Sequence, residues 1–194
     1  MIEGISGYED HDKYMRKSLE NVKRMEQTVK NIIAVSRLQA GSVVLDESIN
    51  IADIVTELMN IYGDMFDKKN IVVDVNVDRE LVTRGSYELI RDTIGAFLSN
   101  AYNYSPKGAD VSICGTKVSN GIKISVENTG VHIDEEHLKH MFEAFYRTDK
   151  SRNSNTGGSG LGLYLVKLVA ENYGGSCTIE NTDKGVKSTI VLPA

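Results

Sequence analysis

The chain is poor in the residues that build covalent or rigid frameworks. Its 194 residues contain two cysteines, two prolines and no tryptophan. Two cysteines cannot form the multi-bridged framework of a small secreted domain, so we interpret Cys114 and Cys177, each within an alternating strand-like stretch, as small buried side chains. No zinc-binding cysteine spacing is present. The fold must therefore depend on a hydrophobic core, which a hydrophobic content of 41% can supply.

Long apolar runs and excess positive charge are also lacking. No run approaches the roughly 18 apolar residues that a membrane helix needs, and an acidic stretch follows Met1 in place of a signal peptide. A net charge of −5 and a pI near 5.4 exclude an overall positive field that would hold nucleic acid. We therefore expect a soluble, cytoplasmic chain without a nucleic-acid partner, and any phosphate site must be local.

A long amphipathic segment opens the chain. Residues 8–40 carry apolar side chains at spacings of three and four, which predicts a bundle-forming helix with a coiled-coil seam. The seam consists of Met15, Leu19, Val22, Met25, Val29 and Ile32. Because Gly41 is a helix stop signal, we divide the chain into a helical segment at 1–41, a linker at 42–47 and a second domain at 48–194.

The second domain alternates helices with strand pairs. The predicted helices are 51–66, 86–104, 134–145 and 161–173, and the predicted strands are 71–77, 80–83, 110–118, 121–128, 176–181 and 186–192. This order predicts an antiparallel or mixed sheet that is covered by helices on one face.

A glycine-rich stretch, Thr156–Leu163, lies where a polar loop meets a predicted helix. Glycines let backbone N–H groups approach an anion, and the helix start presents a positive dipole end. A dinucleotide fingerprint would need a preceding strand, and a P-loop would need Gly-Lys-Ser/Thr, so neither motif fits. If the stretch stood alone, a flexible hinge would explain it equally well.

Polar residues in two other segments could complete a site. Asn100, Asn103 and Tyr104 share one stripe of their helix, and an Asn oxygen suits Mg²⁺ that phosphate and water already ligate. A predicted strand ends in Glu127-Asn-Thr-Gly130, where an edge hydrogen bond to a flat ligand is possible.

The segment after this strand is less informative. Phe142 and Phe145 stand at helical spacing, which predicts core side chains. His137 and His140 lie three residues apart, but a solvated helix face explains them more simply than a metal site does.

Taken in order, these segments resemble the four boxes of the catalytic ATP-binding domain of sensor histidine kinases, in the Bergerat ATPase superfamily. The N box is similar to Asn100-Ala-Tyr-Asn-Tyr-Ser-Pro106, the first glycine box to Glu127–Gly130, the F box to Phe142–Phe145 and the second glycine box to Gly158–Gly162. The stretch from Phe145 also resembles Gram-positive sensors of the vancomycin-resistance type. The resemblance covers roughly residues 48–193 and implies an α+β fold, a two-layer sandwich with a mixed, mostly antiparallel sheet.

The resemblance also implies roles for individual residues. It makes Asn100 the Mg²⁺ ligand and, with Arg147 and Lys150, a catalytic residue. It places Asn128 against the adenine amino group, and Arg147, Lys150 and Arg152 on a basic lid over the phosphates. The implied ATP-contacting residues are Asn100, Asn103, Tyr104, Asn128, Gly130, Ile133, Phe145, Arg147, Lys150, Gly157, Gly158, Ser159, Gly160, Leu161, Gly162 and Leu163.

In that family the γ-phosphoryl of ATP passes to a histidine on a helical hairpin, and then to an aspartate of a response-regulator receiver domain. The acceptor box, of the type His-Glu-Leu-Lys-Thr-Pro, is absent from this sequence. We therefore expect residues 8–40 to be the second hairpin helix, in a fragment that binds ATP without phosphorylating itself. The full-length protein is implied to be a homodimer in the cell membrane, with this part facing the cytoplasm.

Two alternatives and three departures from the family pattern stay open. The alternatives are a nucleotide-sensing module that transfers no phosphate, and a serine-kinase or ATPase relative. Asn128 stands where aspartate is usual, Ala96 where many members have Asn, and Asn103 where many have Lys. We therefore expect weaker nucleotide binding than is typical of the family.

Overall fold

The computed structural model describes residues 7–43, 46–148 and 158–193. Its helices are α1 (Gly7–Gln39), α2 (Ile51–Lys68), α3 (Tyr87–Tyr104), α4 (Glu135–Leu138) and α5 (Gly162–Asn172). Its strands are β1 (Glu47–Asn50), β2 (Val72–Val77), β3 (Val82–Gly85), β4 (Asp110–Val118), β5 (Gly121–Thr129), β6 (Ser176–Asn181) and β7 (Gly185–Leu192). Within these ranges no helix is both long and apolar enough to span a membrane.

After α1, five strands form one layer of the fold, in the order β2-β4-β5-β7-β6. β2 pairs with β4 in parallel, and the other neighbours are antiparallel. Helices α2, α3 and α5 pack against this sheet, while β1 and β3 form a separate two-stranded ladder. The predicted α+β sandwich with a mixed, mostly antiparallel sheet is confirmed.

The core lies between the helices and one face of the sheet. Alternate residues of the central strands are buried there, as period-2 patterning requires, and Ile113, Ile124 and Ile190 have no exposed surface. The predicted stripe of α3 faces them, with Ile94 at 0% and Phe97 at 1% exposure. α3 is therefore held on its apolar side, which leaves its polar edge to border a site.

Among its described residues, the long helix α1 packs against the rest of the structure through its last turns. Leu38 is buried, Ala34 and Val35 pack against the core, and Gln39 Nε2 donates to Tyr164 Oη at 3.1 Å. The seam residues earlier in α1 remain exposed, by 49% at Ile32 to 69% at Met25. The helix predicted at 8–40 is therefore present, and among its described side chains the apolar seam is left uncovered while the C-terminal end is packed.

The predicted helix at 134–145 is wrong beyond its first turn. α4 ends at Leu138, and Phe145 has a φ of +64°, which a right-handed helix cannot contain. The backbone N–H of Phe145 donates to Gly160 O at 3.0 Å. This long-range bond holds the segment out of helical geometry, and sequence spacing does not reveal it.

Two strand predictions also need correction. β3 starts at Val82, not at residue 80, because Asp78 forms a turn: its Oδ1 accepts from Glu80 N at 2.9 Å and its carbonyl from Leu81 N at 3.1 Å. β1 was not predicted. Its four residues are stabilised by pairing with β3, and that pairing cannot be seen in the local sequence. Cys114 and Cys177 are unpaired and half-buried, so the expectation of full burial was too strong.

Candidate functional site

The C-terminal turns of α3 carry three of the predicted site residues. Asn100 is half-buried, and its carboxamide has no hydrogen-bond partner among the described residues. Asn103 Nδ2 donates to Ser99 Oγ at 3.2 Å. Tyr104 ends the helix with 41% of its surface exposed. One polar edge of α3 therefore presents an amide oxygen and an aromatic ring to solvent.

Lys69, which the sequence analysis did not single out, fastens this end of α3. Its Nζ donates to the carbonyls of Tyr102 at 2.6 Å and Ser105 at 3.3 Å, and lies 4.6 Å from the centroid of the Tyr102 ring. The last carbonyls of a helix lack intrahelical partners and carry partial negative charge. The sequence shows only that Lys69 directly follows α2. Its contact with the end of α3 depends on the tertiary fold.

The other end of α3 is fastened by an aromatic side chain. Ser86 N donates to Tyr173 Oη at 2.6 Å. Tyr173 follows α5 directly, and burial is the main cause that raises the pKa of its phenol, so the hydroxyl stays protonated at neutral pH. α3 is therefore fixed at both ends before any ligand binds.

The first glycine box lies at the end of β5. Asn128 is only 7% exposed, and its Nδ2 is buried without a hydrogen-bond partner among the described residues. Gly130 has a φ of +78°, and a Cβ there would approach Pro106 Cγ at 2.8 Å. Pro106 follows α3, so the N box and the first glycine box are in contact, as a shared site requires.

The loop after Gly130 is fixed by the β6–β7 hairpin. Ile133 N donates to Asn181 Oδ1 at 2.9 Å, and Asn181 Nδ2 donates back to Ile133 O at 2.7 Å. Gly130 N donates to Lys184 O at 3.0 Å. Asn181 is a second positioning residue that sequence reasoning missed, because an Asn at the end of a strand is a common turn signal.

The F box and the second glycine box meet through their backbones. Besides the bond from Phe145 N to Gly160 O, a Cβ at Gly160, which has a φ of +73°, would lie 2.7 Å from the Phe145 carbonyl carbon. Only glycine fits this position. Phe142 packs against the core as predicted, but Phe145 is 64% exposed, so the prediction of a core side chain is wrong there.

Helix α5 begins directly after this contact. Leu161 is its N-cap, and the Leu161 side chain makes no capping hydrogen bond, so the N–H groups of the first turn after Leu161 lack a side-chain acceptor among the described residues. Gly162 lies against α3, since a Cβ there would be 3.5 Å from Ala96 Cβ. The anion-binding start of a helix thus lies one turn of α3 before Asn100.

The remaining second-box residues are arranged around this start. Ser159 Oγ accepts from Leu161 N at 3.3 Å, and Gly158 is exposed with nothing near its Cβ position. The side chains of Leu161 and Leu163 are buried, and these residues are 2% and 8% exposed. They can therefore offer a ligand only backbone groups.

The basic segment is described only in part. Arg147 is half-buried at the end of the described segment, while Lys150, Arg152 and Gly157 lie outside the described residues. The prediction of a solvated helix face for the neighbouring histidines holds only in part, because His140 is exposed but lies beyond the end of α4. His137 is half-buried, with Nδ1 2.7 Å from Tyr146 Oη, and His140 Nδ1 lies 2.7 Å from Glu143 Oε1. In the described ranges, no group of three or more His, Cys, Asp or Glu side chains could hold a metal ion.

These contacts order the site along α3. The start of α5 meets the helix at Ala96, and the Gly130–Pro106 contact lies just past Tyr104. At 1.5 Å per residue, Ala96 and Tyr104 are about 12 Å apart along the axis. Among the described residues, the end at α5 has first-turn N–H groups without a side-chain acceptor, and the other end has the exposed ring of Tyr104 and, on β5, the buried amide of Asn128.

The same region matches a known family. Residues 85–194 fit the model of the histidine kinase-, DNA gyrase B- and HSP90-like ATPases. The chain belongs to this family. Because this is a family of ATPases, ATP is the nucleotide that the site is expected to bind. The buried, unpartnered Asn128 Nδ2 and the start of α5, where no described side chain caps the helix, both fit such a ligand.

Similar proteins within the family are sensor kinases. The chain is 30% identical over its whole length to the sensor protein VanSB of Enterococcus faecalis, of which it covers 43%. It is 32% identical over 93% of its length to the sensor-like histidine kinase SenX3 of Mycolicibacterium smegmatis, of which it covers 47%. The chain thus spans less than half the length of these two curated relatives.

Solved structures of histidine kinases share the fold. That of Acinetobacter baumannii AdeS superposes with a TM-score of 0.76 at 19% identity, over 92% of this chain and 83% of that one. That of ThkA in complex with the response regulator TrrA has a TM-score of 0.75 at 22% identity, over 99% of this chain and 53% of that one. At these identities the likeness supports the fold alone.

Proposed function

We propose that the chain is the catalytic part of a sensor histidine kinase, which holds ATP with Mg²⁺ and presents its γ-phosphoryl to a histidine on a helical hairpin. One observation carries this proposal: the uncapped start of α5 lies one turn of α3 from Asn100, at the opposite end of the site from Asn128. In this proposal the first-turn N–H groups bind the phosphates of a metal-bound triphosphate, and the Asn100 amide oxygen faces its Mg²⁺.

In this proposal, one end of the site binds the phosphates and Mg²⁺, and the other end binds the base. Backbone N–H groups at Gly158–Gly162 and in the first turn of α5 bind phosphate oxygens, and Leu161 and Leu163 contribute through their backbones only. Asn100 offers its oxygen to Mg²⁺, which neutralises phosphate charge when bound. Arg147, with Lys150 from outside the described residues, adds positive charge. Phosphoryl transfer needs mainly this alignment and charge neutralisation.

The base end depends on positioning. Tyr104 lies against the nucleotide, and Asn128 reads the edge of the base. Gly130 and Ile133 hold the loop beside the base through the contacts to Pro106 and Asn181, and Asn103 stays on the helix edge through Ser99. The backbone that carries these groups is held by α3 and the sheet before binding.

The rest of the proposal concerns the whole protein. Residues 1–41 form the hairpin segment and 48–194 the catalytic domain, with the exposed α1 seam joining a homodimeric helical bundle. The phosphoryl group then passes to an aspartate of a response regulator, as the named complex of ThkA with TrrA supports for a protein of this fold. We also propose that the full-length protein lies in the cell membrane with this part facing the cytoplasm, and the word sensor in the names of the relatives supports its role as a sensor.

Nucleotide binding is the first test. Mg²⁺ and ATP at a hundredfold excess over Kd should raise the thermal midpoint by about 5–10 °C. Asn100→Ala should lose the Mg²⁺-dependent part of this shift, whereas Asn76→Ala, which alters an exposed Asn on β2, should keep it. Equal shifts in both variants would contradict the role of Asn100.

Transfer in trans separates the proposal from its alternatives. The chain is mixed with the acceptor hairpin of a similar sensor kinase and γ-labelled ATP, and acid-labile label is expected on the hairpin. Tight binding without transfer would favour a nucleotide-sensing module, and sustained ATP hydrolysis would favour an ATPase relative. Label on a histidine of the chain itself would contradict the expectation that it does not phosphorylate itself.

A further inference from the structure

Asn128 is the most buried amide in the described part of the site. It continues the inward row of β5 after Ile122, Ile124 and Val126, and its register neighbours are Val111 on β4 and Val186 on β7, both buried and apolar. A buried polar atom without a partner costs free energy, so native proteins retain few of them. The unpartnered Nδ2 of Asn128 is therefore a group that awaits a hydrogen-bond acceptor.

The chemistry of this side chain decides what it can read. A carboxylate at this position could only accept hydrogen bonds, whereas the carboxamide of Asn128 carries an acceptor oxygen and a donor NH₂ at nearly equal positions. Rotation of the amide plane by 180° exchanges the two. The rotation breaks no bond at Nδ2, because Nδ2 has no partner among the described residues.

Two purines present opposite patterns on the edge that such an amide meets. Adenine offers a donor at N6 and an acceptor at N1, and guanine offers an acceptor at O6 and a donor at N1. An aspartate would meet the guanine O6 with a second acceptor and reject it. We infer that this site binds guanine nucleotides as well as adenine nucleotides, with Asn128 rotating its amide to match either base. This inference rests on the proposed function, in which Asn128 reads the base.

Competition binding to the intact chain tests the inference without any variant. A fluorescent ADP analogue is displaced by ATP, GTP or CTP in the presence of Mg²⁺. The dissociation constants of ATP and GTP should agree within about tenfold, which is the discrimination left when a hydrogen-bond pattern can be matched by both ligands. CTP should bind more than about tenfold more weakly than either purine, because its base lacks the second ring and reaches the buried amide poorly.

Asn128→Asp provides the sharper comparison. It should raise the preference for ATP over GTP to about a hundredfold, since a carboxylate cannot donate to O6. Asn76→Asp makes the same chemical change on exposed β2 and should leave the ratio unchanged. If Asn128→Asp melts below the assay temperature, Asn128→Ala replaces it and should weaken both purines while their ratio stays near one.

The outcomes distinguish this inference from the function on which it rests. An ATP preference of a hundredfold or more in the unaltered chain would overturn the guanine inference and leave the proposed function intact. Equal binding of CTP, or an unchanged ratio in Asn128→Asp, would also overturn it, since the base would then go unread by Asn128. If neither ATP nor GTP displaced the analogue, both proposals would fail.

Discussion

Helices α1 and α3 have similar spacing of apolar residues, but the apolar stripe is exposed in α1 and buried in α3. In α3 the stripe through Ile94 and Phe97 is fully buried against the sheet, whereas in α1 Leu19 and Met25 expose 56% and 69% of their surfaces. Spacing of three and four residues therefore identifies the apolar side of a helix, but it does not identify the surface that covers it. The two helices therefore differ in the surfaces that pack against them and not in the spacing of their apolar residues.

The largest expected effect comes from removing a side chain of the covered stripe. Phe97→Ala should lower the free energy of unfolding by about 3–5 kcal/mol, because it removes buried contacts and leaves a cavity under α3. Urea denaturation followed by far-UV circular dichroism measures this change.

The matched change on α1 sharpens the comparison. Leu19→Ala should alter the free energy of unfolding by no more than about 0.5 kcal/mol at low protein concentration, as is usual for exposed positions. A loss at Leu19 similar to that at Phe97 would mean that the α1 stripe is also covered in the single chain.

The exposed seam should act between chains instead. In the proposed homodimer, the double variant Leu19→Glu with Val22→Glu should weaken self-association by about a hundredfold, because it places carboxylates in an apolar contact. Sedimentation velocity at several concentrations measures the dissociation constant, and ATP affinity serves as the control that the catalytic domain is intact. Unchanged association would show that the seam is not the dimer contact.

Lys69→Met should have an intermediate effect on the covered helix. It removes two hydrogen bonds to the end of α3 and should cost about 1–2 kcal/mol of stability, with faster amide hydrogen exchange over residues 101–105 than elsewhere. Lys68→Met alters the exposed neighbour and should change neither quantity. Uniform faster exchange over the whole domain would contradict a local role for Lys69.

The smallest effect concerns the half-buried Cys177. Burial raises the pKa of its thiol to about 11, so its alkylation by iodoacetamide at pH 8 should be at least about tenfold slower than after denaturation. Because the folded pKa is raised, the associated stabilisation is present at neutral pH and is lost as the pH rises through about 11. Mass spectrometry of timed samples measures the rate, and equal rates in the two states would contradict the shift.

The sequence was sufficient where local rules decide the structure. The buried stripe of α3 and strands β4 and β6 were predicted at their observed positions, because period and turn residues specify them. It was insufficient where a partner distant in sequence determines the local structure. β1 forms a strand because it pairs with β3, and the conformation of Phe145 is set by its hydrogen bond to Gly160. The helix at 134–145 was wrong for that same reason.

The site shows the same division between local and distant causes. Gly130 and Gly160, which the sequence motifs singled out, both have positive φ angles. Lys69 and Asn181 instead act on distant parts of the fold and carry no distinctive local pattern. The contacts of the predicted residues with ATP and Mg²⁺ remain predictions that the binding experiments test.

The backbone bond between Phe145 and Gly160 bears on the length of the segment between them. It brings the two ends of the intervening basic segment together independently of what lies between them. Closing a longer loop costs only about 0.6 kcal/mol for each doubling of its length, so insertions and deletions there should leave the helices undisturbed. The fold should therefore tolerate changes in the length of this segment, and a peptide tag inserted within it should leave the domain folded.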